Sequence, residues 1–104
     1  MRHRAKRDGN HAAIVAALRA AGCSVLELHA VGGGCPDLLA GRAGWERLIE
    51  VKREGWTGPQ GSKQRLTHLS QQEFSDTWRG TPVKRVTTVE DALAAMGVFA
   101  AVRP

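Results

Sequence analysis

The chain is expected to fold as an α/β domain with the order α-β-β-β-α-β-α. Three observations on its 104 residues point there. Apolar positions recur at helical spacing near both ends of the chain. Short apolar runs on either side of Gly41-Arg42-Ala43-Gly44 read as antiparallel strands joined by a turn. The length suits one domain with a single modest core, so residues 1–104 are read as one unit.

Asp8 stands as the N-cap of a first helix. Its apolar positions Ile14, Val15, Leu18 and Ala21 follow the helical period up to Gly22. A strand follows from Ser24 to Val31, carrying Val25, Leu26 and Leu28. The triplet Gly32-Gly33-Gly34 then lets the backbone turn sharply or approach a neighbour closely. It lacks the spacing and the Lys-Ser/Thr of a phosphate-binding P-loop, so close packing at a site edge is the better reading. Strands are expected near 37–41 and 47–53. Residues 54–66, rich in glycine and holding Trp56, Pro59, Lys63 and Arg65, read as a mobile loop. Ser70 and Glu73 have capping-box spacing and would open a second helix with Gln71, Phe74 and Trp78 along one face, the two aromatics mostly in the core. After Pro82, Val83 to Thr87 reads as a strand with exposed Lys84 and Arg85. Thr88 then caps a last helix carrying Val89, Ala92, Leu93 and Met96 up to Gly97.

A formal net charge of +5 and a pI near 10.0 imply an anionic partner, with nucleic acid the leading candidate. No apolar run is long enough to span a membrane, and no apolar stretch of signal-peptide type follows the basic arm of residues 1–7, so a cytoplasmic location is expected. Cys23 and Cys35 are too few for a disulfide framework. With the four His scattered at positions 3, 11, 29 and 68, nothing has the spacing of a zinc site. His29, just before the glycine triplet, could approach a substrate, although a structural or surface role is favoured.

The chemistry concentrates in Pro36-Asp37 and Glu50-Val51-Lys52. In a strand Glu50 and Lys52 share one face while Ile49 and Val51 pack the other. If the segments around Asp37 and Glu50 pair antiparallel, two carboxylates and an amine converge. Hard divalent cations take oxygen ligands, and Mg2+ settles for one or two carboxylates plus water. Asp37 and Glu50 meet that need, with the Val51 carbonyl as a third oxygen. A bound metal can polarise a phosphoryl oxygen and lower the pKa of its water, while Lys52 orients the nucleophile or stabilises charge on the phosphate.

Pro36-Asp37 followed by Glu50-Val51-Lys52 resembles the PD-(D/E)XK nuclease superfamily. The small size, the N-terminal helix and the run Gly32-Gly33-Gly34-Cys35-Pro36-Asp37-Leu38 look like archaeal-type Holliday-junction resolvases. VRR-NUC domains look nearly as similar. The resemblance spans residues 8 to about 90 and implies a restriction-endonuclease-like α-β-β-β-α-β core with a mixed sheet flanked by helices. Related families place a Gln on the helix after the Lys strand, where Gln71 falls; it could hydrogen-bond the nucleophilic water or a phosphate. Those families also commonly carry a Glu on the first helix as a further metal or water contact. This helix has none, and Asp8 and Asn10 are the nearest substitutes.

The expected activity is Mg2+-dependent cleavage of DNA phosphodiester bonds, with Mn2+ able to substitute and with branched or four-way junctions as the substrate. Arg2, Arg4, Lys6, Arg7, Lys63 and Arg65 would grip phosphates. Trp56 would stack on a base, wedge a junction open or simply cover the core. Junction resolvases act as homodimers, and the apolar tail Val98-Phe99-Ala100-Ala101-Val102 offers a surface for such an interface. The alternatives are a VRR-NUC-like nuclease of other specificity and a non-catalytic DNA-binding protein that keeps the nuclease fold.

Overall fold

Helix α1 (His11–Ala20) leads into three strands, β1 (Ser24–Glu27), β2 (Leu38–Arg42) and β3 (Trp45–Val51). Helix α2 (Gly61–Thr77), strand β4 (Lys84–Val86) and helix α3 (Val89–Ala95) complete the expected order. The structure is a computed structural model that describes residues 9–53, 55 and 61–99, and of 61–68 the backbone alone. Its single mixed sheet has the order β1-β2-β3-β4, with β1-β2 and β2-β3 antiparallel and β3-β4 parallel. A parallel neighbour cannot be reached by a tight turn, and the segment containing α2 is the crossover that delivers β4.

The alternation of β3 decides what lies on each side of the sheet. Ile49 and Val51 face α1 and α3 and join Ile14, Leu18, Leu38, Val86 and Met96 in the buried core. Leu48 and Glu50 face the other way and are also buried. On that second face Leu26 is exposed and Leu39 only half-buried, so its cover is thinner than on the core side.

Local signals place the helix ends. At the end of α1 the Gly22 N–H donates to the Arg19 carbonyl and the Cys23 N–H to the Leu18 carbonyl, a Schellman closure with Leu18 and Cys23 both buried. Helix α3 closes the same way through Gly97 and Val98 onto Ala94 and Leu93. Thr88 caps α3 as expected, accepting from the Asp91 N–H at 3.0 Å. Helix α1 opens later than expected: Asn10 holds the cap position without a side-chain capping bond, and Asp8 lies outside the described residues.

Other boundaries differ for physical reasons. Strand β1 ends at Glu27 and does not continue to Val31. After the Leu28 N–H donates to the Asp37 carbonyl at 2.7 Å, the Val31 N–H turns back onto the Leu28 carbonyl. Strand β3 spans Trp45–Val51, earlier at both ends than the expected 47–53, because the Ala43-Gly44 turn is only two residues long and pairs Arg42 directly with Trp45. Both turn residues have positive φ, 55° and 88°, the backbone that matches a right-twisted hairpin.

The largest correction concerns α2. It opens at Gly61 and not at Ser70, so residues 61–66 of the expected mobile loop are helical and Ser70 sits mid-helix. Lys, Gln, Arg and Leu dominate Ser62–Leu69, all good helix formers, with Pro59 just ahead of the start. The capping-box spacing of Ser70 and Glu73 is fulfilled inside a helix, where it caps nothing. Phe74 and Trp78 also depart from expectation. They stack on each other at 5.4 Å between ring centres on the surface of α2, with Trp78 45% exposed, and neither belongs to the core. In the C-terminal tail Val98 packs against the core while Phe99 is 73% exposed; residues 100–104 lie outside the described residues.

Candidate active site

The antiparallel register of β2 and β3 sets Leu38 opposite Ile49, which brings Asp37, one residue before β2, beside the end of β3. There β2 supplies no further backbone partner, and the Asp37 carboxylate replaces one: its Oδ2 accepts the Val51 N–H at 2.8 Å. In extended backbone the N–H and C=O of one residue point the same way, so the Val51 carbonyl also faces the Asp37 side. The Lys52 N–H instead donates to the Val86 carbonyl of β4 at 2.9 Å, holding the strand end from the other flank.

Glu50 is the centre of this arrangement. It is only 4% exposed, on the face away from the core. Its Oε2 accepts from Gln71 Nε2 at 2.8 Å, and the Gln71 Oε1 accepts from Lys52 Nζ at 2.7 Å. Only one amide orientation satisfies both partners, because an ammonium has no acceptor and an ionised carboxylate no donor. Lys52 Nζ also lies 3.6 Å from Glu50 Oε2. The other oxygen, Oε1, is buried with no donor. Asp37 is close enough to Glu50 for the metal-free pair to share a proton, and a cation can take that proton's place between the two carboxylates.

The electrostatics follow from that geometry. Burial first, and the Asp37 charge second, push the Glu50 carboxyl from 4.5 up to about 8, against the opposing pull of Lys52 and Arg85. Burial also raises the Cys35 thiol, with Glu50 and Asp37 adding to the rise. Cys35 is thus a protonated neighbour of the carboxylates rather than a nucleophile. Both cysteines are free, Cys23 buried and Cys35 half-buried, as their small number implied.

Of the residues singled out from sequence, Asp37, Glu50, Val51, Lys52 and Gln71 come together. Asn10 bonds a backbone carbonyl of this group and none of the group's side chains. Its Nδ2 donates to the Lys52 carbonyl at 2.9 Å and also to the Thr87 carbonyl, clasping the ends of the two parallel strands, while its Oδ1 is buried without a partner. Exposed His29 lies in the turn after β1. Asp8, Arg2, Arg4, Lys6, Arg7 and Trp56, and the side chains of Lys63 and Arg65, lie outside the described residues.

Arg85 joins the site from β4, and its place was not read from the sequence. Parallel register sets it opposite Glu50, and its Nη2 donates to Gln72 Oε1 at 2.9 Å. The signal was the run Lys84-Arg85-Val86 on a strand, but which of two basic residues faces Glu50 depends on register. No helix among the described residues is long and apolar enough to cross a membrane. No family model matches the chain, and no curated protein or solved structure matches it significantly.

Proposed function

We propose that this protein is a metal-dependent DNA endonuclease of the PD-(D/E)XK type and, more finely, a homodimeric resolvase of four-way junctions that uses Mg2+, with Mn2+ as a substitute. The observation that carries the reading is the Glu50 Oε1 atom, a buried carboxylate oxygen with no donor, set against a second carboxylate. Buried polar atoms in native proteins are ordinarily satisfied, and two adjacent acceptors are jointly satisfied by a cation. Among the described residues no group of three or more His, Cys, Asp or Glu is arranged to hold a metal. Two carboxylates with the Val51 carbonyl on the same side suit a hard ion that keeps most of its water and disfavour a zinc-type site.

When bound, a divalent cation supplies a polarised phosphoryl oxygen and a more acidic water. The protein's own groups do the rest. Asp37 and Glu50 would hold the ion. Lys52 presents a positive charge to the scissile phosphate, where negative charge grows during cleavage. Gln71 bridges Glu50 and Lys52, which also face each other as an ion pair at 3.6 Å, and its amide has both a donor and an acceptor to offer a water. Arg85 adds positive charge beside the carboxylates. The finer reading leans on the motif's likeness to junction resolvases and on the basic arm of residues 1–7.

The test is incubation of purified protein with four-way junction, flap and linear duplex DNA, each with Mg2+ or with chelator. Cleavage only with the metal, lost in Asp37→Ala and Glu50→Ala while DNA binding persists, is the expected result. Equal cleavage of duplex and junction removes the resolvase reading and leaves the nuclease. Binding without cleavage under every metal condition favours a non-catalytic DNA-binding protein.

A further inference from the structure

The glycine turn comes close to the backbone of helix α2 at Gly34. A Cβ placed on Gly34 would lie 2.3 Å from the Ser70 carbonyl oxygen, 2.7 Å from its carbon and 3.2 Å from the Gln71 nitrogen. These are backbone atoms inside a helix, so no side-chain rotation clears them. Gly33, its neighbour, has nothing within 4 Å of its own Cβ position. Both have positive φ, 79° at Gly34 and 65° at Gly33, so a side chain at either is strained, but only at Gly34 does it also collide. The residue touched immediately precedes Gln71, whose amide joins Glu50 to Lys52.

We propose that Gly34 is a positioning residue: its bare Cα sets how close α2 comes to the sheet, and so holds the Gln71 amide within reach of both Glu50 and Lys52. The inference rests on the reading of Glu50 and Lys52 as the functional pair, and its geometry stands without it. Both bonds of the bridge are short, so a shift of α2 by the ångström or so needed to admit a methyl group breaks at least one of them. With the bridge broken, Lys52, already paired with Glu50 at 3.6 Å, loses the Gln71 acceptor that fixes where its ammonium points relative to a phosphate.

The experiment compares Gly34→Ala with Gly33→Ala in the full chain. Gly33→Ala carries the backbone strain alone. The side-chain amide protons of Gln71, followed by NMR, are expected to be protected from solvent exchange and close to the Lys52 side chain in wild type and in Gly33→Ala, and to lose both features in Gly34→Ala. With junction DNA and Mg2+, Gly34→Ala is expected to lower kcat by about a hundredfold, the scale of an ångström misplacement, with KM little changed. If Gly34→Ala does not fold, D-alanine at position 34 replaces it, introduced by ligating residues 1–34 to a fragment that begins with Cys35. D-alanine favours positive φ and directs its methyl along the other Cα–H bond, and it is expected to retain the Gln71 signature. Gln71 protection that survives in Gly34→Ala, that vanishes equally in Gly33→Ala, or that is absent from a folded D-alanine protein overturns the proposal. Absence of cleavage by the wild type would overturn the nuclease reading, and the NMR comparison would still decide the role of Gly34.

Discussion

Ile49 and Val51 lie under α1 and α3 among Ile14, Leu18, Val86 and Met96, whereas Glu50 between them and Lys52 just past the strand meet α2 through the Gln71 amide. One face of β3 is held by apolar area, which is non-directional and tolerant of small shifts. The other is held by a few directional bonds around a buried carboxyl whose ionisation opposes folding. The core face therefore supplies the stability with which the site face keeps Glu50 out of water. The contrast predicts that substitutions one residue apart on β3 act on different properties.

The largest effect is expected from the pH dependence of Glu50. A carboxyl whose pKa rises from 4.5 to about 8 on folding binds more proton folded than unfolded between those values. Stability should fall as pH rises through that window and stay lowered above it. Glu50→Gln removes the ionisation. In metal-free buffer the variant should gain on wild type between pH 5 and pH 9, by as much as about 4 kcal/mol from the size of the shift. Urea unfolding at a series of pH values measures the gap. Millimolar Mg2+ should narrow it at high pH for wild type only, and a gap that does not change with pH would show that Glu50 is not strained.

The next comparison sets Ile49→Ala beside Lys52→Ala. Ile49 is fully buried, and its truncation should cost about 3 kcal/mol in unfolding experiments. Lys52→Ala removes a largely buried ammonium that bonds Gln71 beside Glu50, and should cost less than Ile49→Ala, about 1 kcal/mol. Its cleavage rate should fall by about two to three orders of magnitude, the scale of losing one group that stabilises transition-state charge. Unfolding of Lys52→Ala would make its role structural and erase the contrast between the faces.

Asn10 lies between the two regions, at the start of the core-side helix and bonded to the carbonyl of Lys52. Asn10→Ala should cost about 1 to 2 kcal/mol through loss of a bond to each strand end, read as a lower thermal midpoint. If cleavage falls much further than stability accounts for, the buried Asn10 Oδ1 also serves the site. The smallest effect belongs to the hairpin, remote from both faces: Ala43→Asn should stabilise by about 0.5 kcal/mol, because Asn accepts the positive φ that Ala resists. Cleavage should be unchanged.

Elements whose signals are local were legible in the sequence. Gly22 and Gly97 end their helices because closure needs only bonds within the last turn, and Thr88 caps α3 with an oxygen three residues from its donor. The opening of α2 was not legible: Ser70 and Glu73 carry a helix-start pattern that an uninterrupted helix-forming stretch overrides. Phe74 and Trp78 share a helical face, but whether a face is buried depends on how far the helix stands from the sheet, which spacing along one helix does not encode.

The sequence by itself determined the order of the elements, a turn within Gly41-Arg42-Ala43-Gly44, and the placing of Glu50 and Lys52 on one side of the chain where β3 ends. Each depends on periodicity or on neighbours a few residues apart. Only the tertiary structure decided that Asp37 accepts the Val51 N–H, that Arg85 rather than Lys84 lies beside Glu50, that Asn10 clasps two strand ends, and that Gly34 meets Ser70. Those contacts join segments from fourteen to seventy-seven residues apart. Their physical cause is strand register and the close approach of one backbone to another, and both are fixed when the sheet and its helices pack together.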